Sequence, residues 1–275
     1  MTNKSDDTVG GRYHRLDLKA DPSGEARNDP DETGQTGFIH SVETAGTLDG
    51  PGIRFVIFIT GCPLRCLYCH NPDTWHVRNG SPMSVDQVMR EIEKYADFLI
   101  KAGGGVTFSG GEPLVQIQFL ANLLRRCKQR GLHTTVDTSG VHGERMTDAM
   151  LADTDLVLLD IKAFDPDIYR KITGGKVAAT QGFAKRLSSM AKPTWIRFVL
   201  VPQLTDDYDD IEKLADFVAD LQSVERVEVL PFHKMGEHKW EALNLDYQLK
   251  ETEPPSEKLI ARVHDQFRKR QLTVF

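Results

Sequence analysis

A single α/β domain on a largely parallel sheet is the fold class the sequence predicts, and two observations predict it. From about residue 53 onward, apolar β-branched runs alternate with segments of helical periodicity, giving six strand–helix units. The strand runs are also largely apolar throughout, as in a parallel sheet covered by helices. Six units are too few for a closed eight-fold barrel. An open, partial barrel and a doubly wound sheet both fit the count. In either, reactive groups gather beyond the C-terminal ends of the strands.

Each element has its own warrant. Ile53 to Ile59 is a strand run. Ser84 to Lys101 is a helix: Val85, Val88, Met89, Ile92 and Leu99 share a face, and Ser84 with Gln87 makes a capping box. Val106 to Ser109 is a short strand. Val115 to Arg130 is a helix, with Gly131 placed to end it. His133 to Thr138 is a strand, followed by a weaker helix over Gly143 to Ala152. Leu156 to Ile161 is an apolar strand, with helical segments between Asp165 and Ala191. Trp195 to Val201 and Val224 to Leu230 are strands flanking a helix over Ile211 to Leu221. A last helix covers about Ser256 to Arg270, and Leu272 to Val274 adds a final strand. Residues 1–36 are rich in Asp, Gly, Pro, Ser and Thr with isolated apolar positions. Such a stretch buries too little surface to offset its ordering entropy, so it reads as a disordered tail, and 37–275 as the domain.

Composition narrows the function. The 275 residues are 40% hydrophobic and 27% charged, with a formal charge of −6. That is the mix of a soluble globular protein. The acidic balance argues against nucleic acid or an anionic membrane surface as partner, since both need a basic face. No apolar run reaches the roughly 18 residues of a membrane span. The first eight residues are polar and carry no signal-peptide core, so a cytoplasmic place is expected. There are four cysteines, and Cys62, Cys66 and Cys69 lie within one short stretch. In a reducing compartment that grouping reads as a metal site and not as a disulfide framework.

The chemistry-bearing residues follow the strands. Gly61 to Cys69 follows the first, Ser109-Gly110-Gly111-Glu112-Pro113 the second, Asp137-Thr138-Ser139-Gly140 the third, Asp160-Ile161-Lys162 the fourth and Pro231-Phe232-His233 the sixth. Five polar clusters on one rim point to a single site. The Cys-x3-Cys-x2-Cys spacing suits an iron–sulfur cubane held through three irons, the fourth left open. A zinc site, with His70 or His76 as fourth ligand, is the competing reading. Cys127, among Leu123, Leu124 and Arg126, reads as a packing residue.

Gly50-Pro51-Gly52-Ile53-Arg54, Phe58, the three cysteines with Tyr68 and Asn71, Gly103-Gly104-Gly105-Val106-Thr107, Trp195-Ile196-Arg197 and His238-Lys239-Trp240 together resemble the radical S-adenosylmethionine (SAM) enzymes. The likeness is strongest to their glycyl-radical-enzyme activases, in the pyruvate formate-lyase branch. It runs from about Gly37 to Phe275. It implies a partial (β/α)6 TIM-like barrel of radical SAM type. It also implies a [4Fe-4S] cluster on Cys62, Cys66 and Cys69 whose open iron chelates SAM. One-electron reduction cleaves SAM to methionine and a 5′-deoxyadenosyl radical, which takes a hydrogen from a glycine Cα of a partner glycyl radical enzyme. Other activases carry an inserted ferredoxin-like domain with eight further cysteines, absent here.

The resemblance also assigns roles. Tyr68, His70, Gly110, Gly111, Glu112, Asp160, Ile161, Lys162 and His233 are implied as SAM contacts, with Glu112 accepting from its amino group. Asp137, Thr138, Asp160 and a backbone carbonyl near Leu158 are implied around a monovalent cation. Asp49, His70 and Arg197 are implied as contacts to the partner's glycine loop. Arg197 within an apolar strand demands an anion in any case. A flavodoxin or ferredoxin is the implied electron donor, and the activase is taken as a monomer. A radical SAM enzyme acting on a small molecule and a non-catalytic zinc protein are the alternatives.

Overall fold

A computed structural model describes Tyr13–His14 and residues 32–275. The chain order of its elements is β1 (Tyr13–His14), β2 (Thr36–Gly46), β3 (Arg54–Ile59), β4 (Ser81–Ser84), α1 (Val85–Glu93), α2 (Ala96–Lys101), β5 (Gly105–Gly110), α3 (Ile117–Gln129), β6 (His133–Thr138) and α4 (Asp148–Ala152). There follow β7 (Leu156–Asp160), α5 (Pro166–Thr173), α6 (Val177–Ser189), β8 (Thr194–Leu200), α7 (Tyr208–Ala219), β9 (Val224–Pro231), α8 (Glu237–Ala242) and α9 (Glu257–Arg268). Most of the expected tail lies outside the described residues. Its last part does not: the side-chain amide of Asn122 on α3 donates to the carbonyls of Thr33 and Gly34, and the Val85 amide donates to Gln35.

The six expected strands pair in parallel in the order β3-β5-β6-β7-β8-β9, an open sheet of partial-barrel type. At the β3 edge, β2 adds antiparallel and carries both β1 and β4. The last expected strand is a single bridge, Val227 to Val274. The capping box at Ser84 and Gln87 is present. The long helix expected after it breaks at Lys94–Tyr95 into α1 and α2, whose buried faces both meet the core.

The two faces of the sheet differ, contrary to the sequence expectation. The outer face is apolar: Phe55, Ile57, Ile59, Val106, Phe108, Val136, Val157, Leu159, Ile196 and Phe198 pack under the helices in the main core. Alternate positions face the lumen, and there the strands carry Arg54, Thr107, Ser109, Thr135, Asp137, Arg197 and Glu228, all bonded to one another or to the loops. Leu156, Leu158 and Trp195 form an apolar patch on this side, and Val199 and Leu230 add apolar surface to it near the strand ends. A polar lumen confines charge to one place, and helices insulate it from outside.

At the N-terminal end of the lumen, backbones touch. Gly52 has φ +66°, and a Cβ there would fall 2.5 Å from the carbonyl oxygen of Gly103; one on Gly104 would fall 1.9 Å from that of Ile53. The Gly50-Pro51-Gly52 and Gly103-Gly104-Gly105 motifs are thus halves of one contact that only glycine permits.

Candidate active site

A cavity of about 550 Å³ opens at the C-terminal ends of the strands and is of ligand-binding size. Its wall is built from the loop after β3 (Cys62, Cys66, Tyr68, Cys69, His70), the end of β5 (Ser109, Gly110, Gly111), the end of β6 (Asp137, Thr138, Ser139), the end of β7 with its loop (Asp160, Lys162), Arg197 on β8 and His233 after β9. Asp49 and Leu48 join it from the β2–β3 hairpin loop. That loop leaves the sheet at the end opposite the cysteines, so Asp49 reaches the cavity along the lumen.

The cysteine loop is held by its backbone. Gly61 and Cys62 donate to the carbonyls of Thr74 and Trp75, Arg65 and Leu67 to those of Thr173 and Ile172 at the end of α5, and Glu112 to Gly61. Gly110 has φ +121°, and a Cβ there would lie 2.3 Å from the Ile59 carbonyl oxygen, so the turn leads its backbone to the cavity wall. Burial pushes the thiols of Cys62 and Cys66 up to about 12. Such thiols stay protonated unless positive charge is brought to them, as coordination to a metal does outright. A cubane gives each thiolate its own iron, whereas zinc draws every ligand to about 2.0–2.3 Å of one point. Three thiols from one short loop, all lining the cavity, fit the three-cysteine donor set of a cluster. His70, weighed as a fourth zinc ligand, donates instead through Nε2 to the His233 carbonyl at 3.0 Å, its ring 4.2 Å from that of His233.

Charge is arranged in pairs. Lys162 Nζ donates to Asp160 Oδ2 at 3.0 Å and stands 5.7 Å from the Tyr68 ring centre. Burial would lower its pKa, but Asp160 holds it well above the ordinary lysine range. Arg197 is nine-tenths buried; its Nε donates to Glu228 at 3.0 Å, Nη1 faces Asp137 at 3.4 Å, and Nη2 donates to the Leu48 carbonyl. Asp137 accepts from Ser109 at 2.6 Å, and burial raises its pKa to about 6 against the pull of Arg197. Two buried polar atoms on the wall, Tyr68 Oη and Asp137 Oδ1, have no partner within the protein. Burying them that way is costly unless a ligand meets them.

Three expected site residues stand differently from their expected use. Glu112 is fully buried behind the wall; its carboxylate accepts from the Leu114 amide, from Thr138 Oγ1 at 2.6 Å and from the amide and hydroxyl of Ser139. It braces the end of β6. Ile161 belongs to the main core, and its amide donates to the Arg197 carbonyl. The guanidinium of Arg197 faces the cavity, yet its fork is taken by its own chain. Conversely, the sequence reading gave Ser109 no role of its own and passed over Trp75 and Glu228. Glu228 carried the same signal as Arg197, a charge inside a core strand.

A family profile of the radical SAM superfamily matches residues 56–218. A pyruvate formate-lyase-activating enzyme of Staphylococcus epidermidis is 46% identical over 235 residues, spanning 83% of this chain and 94% of its own. One from Clostridium pasteurianum is 46% identical over 217 residues, with coverage of 79% and 91%. Among solved structures, a domain of a pyruvate-formate lyase-activating enzyme from Bacteroides vulgatus superposes with a TM-score of 0.53 at 27% identity, over 63% of this chain and 98% of that one. Streptococcus suis SuiB bound to its precursor peptide gives 0.61 at 19% identity, over 85% and 49%, a likeness of fold alone. The chain belongs to the radical SAM superfamily and, within it, to the family of the pyruvate formate-lyase-activating enzymes. It is a radical SAM enzyme whose cofactors are a [4Fe-4S] cluster and SAM. Among the described residues no helix is long and apolar enough to cross a membrane.

Proposed function

We propose that this protein activates a glycyl radical enzyme of the pyruvate formate-lyase type, with Cys62, Cys66 and Cys69 holding the cluster and SAM lying in the 550 Å³ cavity beside them. The observation that carries this reading is that one cavity collects the three thiols and the ends of five parallel strands. When bound, the cluster delivers one electron that splits SAM into methionine and a 5′-deoxyadenosyl radical, which takes hydrogen from a glycine Cα.

The chain's own residues bind, orient and exclude water. The bare backbone of Gly110 and Gly111 lets the methionine end approach. Lys162, kept charged by Asp160, meets the carboxylate or ribose oxygens, and Tyr68 and His233 flank the adenosine. Asp137 and Asp160, with Thr138 and the Leu158 carbonyl, present oxygen to a monovalent cation, which would meet the unpartnered Asp137 Oδ1. Asp49 and His70 face the entering peptide. Arg197 already binds a backbone carbonyl, that of Leu48, the same chemistry a partner's extended loop offers. The enzyme works as a cytoplasmic monomer with a flavodoxin or ferredoxin as donor. The test is anaerobic incubation with pyruvate formate-lyase, SAM and reductant, read by electron paramagnetic resonance. A glycyl radical signal is expected, and its absence with a fully loaded cluster overturns the proposal.

A further inference from the structure

The segment bearing the thiols has no strand or long helix of its own; between Ile59 and Ser81 it forms only two single turns. Something outside must hold it, and two tryptophans do. The Trp75 carbonyl accepts from the Cys62 amide at 3.0 Å, at the start of the triplet. The Trp240 indole Nε1 donates to the Cys69 carbonyl at 2.8 Å, at its end. The two rings meet edge to face, 5.2 Å apart at 90°. Arg65, between the first two cysteines, lies over the outer face of Trp75 at 4.7 Å and donates to the Cys62 carbonyl at 2.7 Å. Trp240 is buried, packs on Tyr247 at 5.3 Å, and sits on α8, which follows the last strand of the open sheet. Its neighbour Lys239 donates to Asn71 at 2.7 Å and pairs with Asp73 at 3.1 Å. One short helix from the β9 edge thus grips the loop that leaves the β3 edge.

We infer that Trp240 and Trp75 are positioning residues for the cluster, clamping Cys69 and Cys62 so that the three thiols keep their spacing. The inference rests on the reading that Cys62, Cys66 and Cys69 are the ligands. A carbonyl tied to a buried indole fixes the Cys69 backbone, and so the direction of its thiol. Outer partners of this kind orient ligands and tune what they hold.

The test uses the full chain with W240F, W75F, K239M and C69A, reconstituted anaerobically. Iron and sulfide per chain, the rate of iron loss to a chelator and the thermal melt are measured. W240F keeps the ring packing and loses the donor; it should load a cluster and release iron about tenfold faster. W75F keeps the Trp75 carbonyl on the Cys62 amide and an aromatic ring against Trp240, so it should release iron more slowly than W240F. K239M leaves both indoles in place and should release iron faster than the parent but slower than W240F, and it decides the matter if W240F does not fold. Parent-like release in W240F, or in K239M where that variant stands in, overturns the inference. C69A separates the two readings. If it keeps its iron, the ligand assignment fails; if it loses iron while the tryptophan and lysine variants match the parent, only the clamp fails.

Discussion

The two ends of the lumen each bury one arginine and treat it in opposite ways. At the N-terminal end Arg54 is wholly enclosed, with no carboxylate in hydrogen-bond range. Its guanidinium donates to Thr107 and Thr135 hydroxyls at 2.9 Å, to the Val106 carbonyl at 2.6 Å and to the carbonyls of Pro51 and His133 at 3.3 Å. Burial lowers its pKa to about 10. At the cavity end Arg197 is paired with two carboxylates, Asp137 and Glu228, and burial is outweighed so that its pKa rises. There the neighbouring Asp137 keeps one buried oxygen unpartnered. One end is closed and fully satisfied; the other is left partly unsatisfied beside a cavity. This is the division of stability and chemistry expected of barrel ends.

Breaking Arg54 should have the largest effect on the fold. R54M leaves two threonine hydroxyls and three carbonyls without their donor, and should cost about 3–5 kcal/mol, read as a lower midpoint in urea unfolding. A loss below about 1 kcal/mol would mean that water replaces the guanidinium. R197K should reverse the pattern. It keeps the charge and loses the fork; the melt should change little, while radical formation on the partner falls at least roughly tenfold and slow deoxyadenosine formation persists. If both products fall with weakened SAM binding, Arg197 serves the cofactor site.

Acid sharpens the contrast with smaller effects. The Asp137 pKa is raised from 3.8 to about 6 in the fold. The folded protein then binds more protons than the unfolded chain between those values, so this group's contribution falls as pH rises through them, by about 1–3 kcal/mol at most. D137N should flatten that slope in melts of the cofactor-free protein, and an unchanged slope refutes it. His133, against Arg54, has its pKa lowered by burial and by that arginine. Its contribution is complete above about 6.5 and declines as pH falls below that value. H133Q should remove this acid loss, an effect of under about 1 kcal/mol.

Much of this was legible. The six parallel strands stand within one or two residues of the sequence reading, because a strand covered by helices must be apolar on that side and the runs are short and well separated. The antiparallel strand β2 was missed. Its Gly-Phe-Ile-His-Ser-Val-Glu-Thr-Ala-Gly run mixes polar and apolar residues, and its pairing comes from β3 and β4 rather than from its own pattern. Helix α8 was missed because six residues give too few turns for a period to be read.

The sequence alone determined the fold class, the chemical identity of the site and its place on one rim, because residue type and strand order are local facts. The three cysteines could be read at once, since their spacing lies within one loop. Tertiary structure alone decided which way each side chain faces and what it spends its hydrogen bonds on. Glu112 turns behind the wall to Thr138 and Ser139, Arg197 closes on Glu228 and Leu48, and Trp240 reaches back 171 positions to Cys69. A hydrogen bond depends on distances of about 3 Å between atoms brought together only when the barrel forms, and no periodicity along the chain records them.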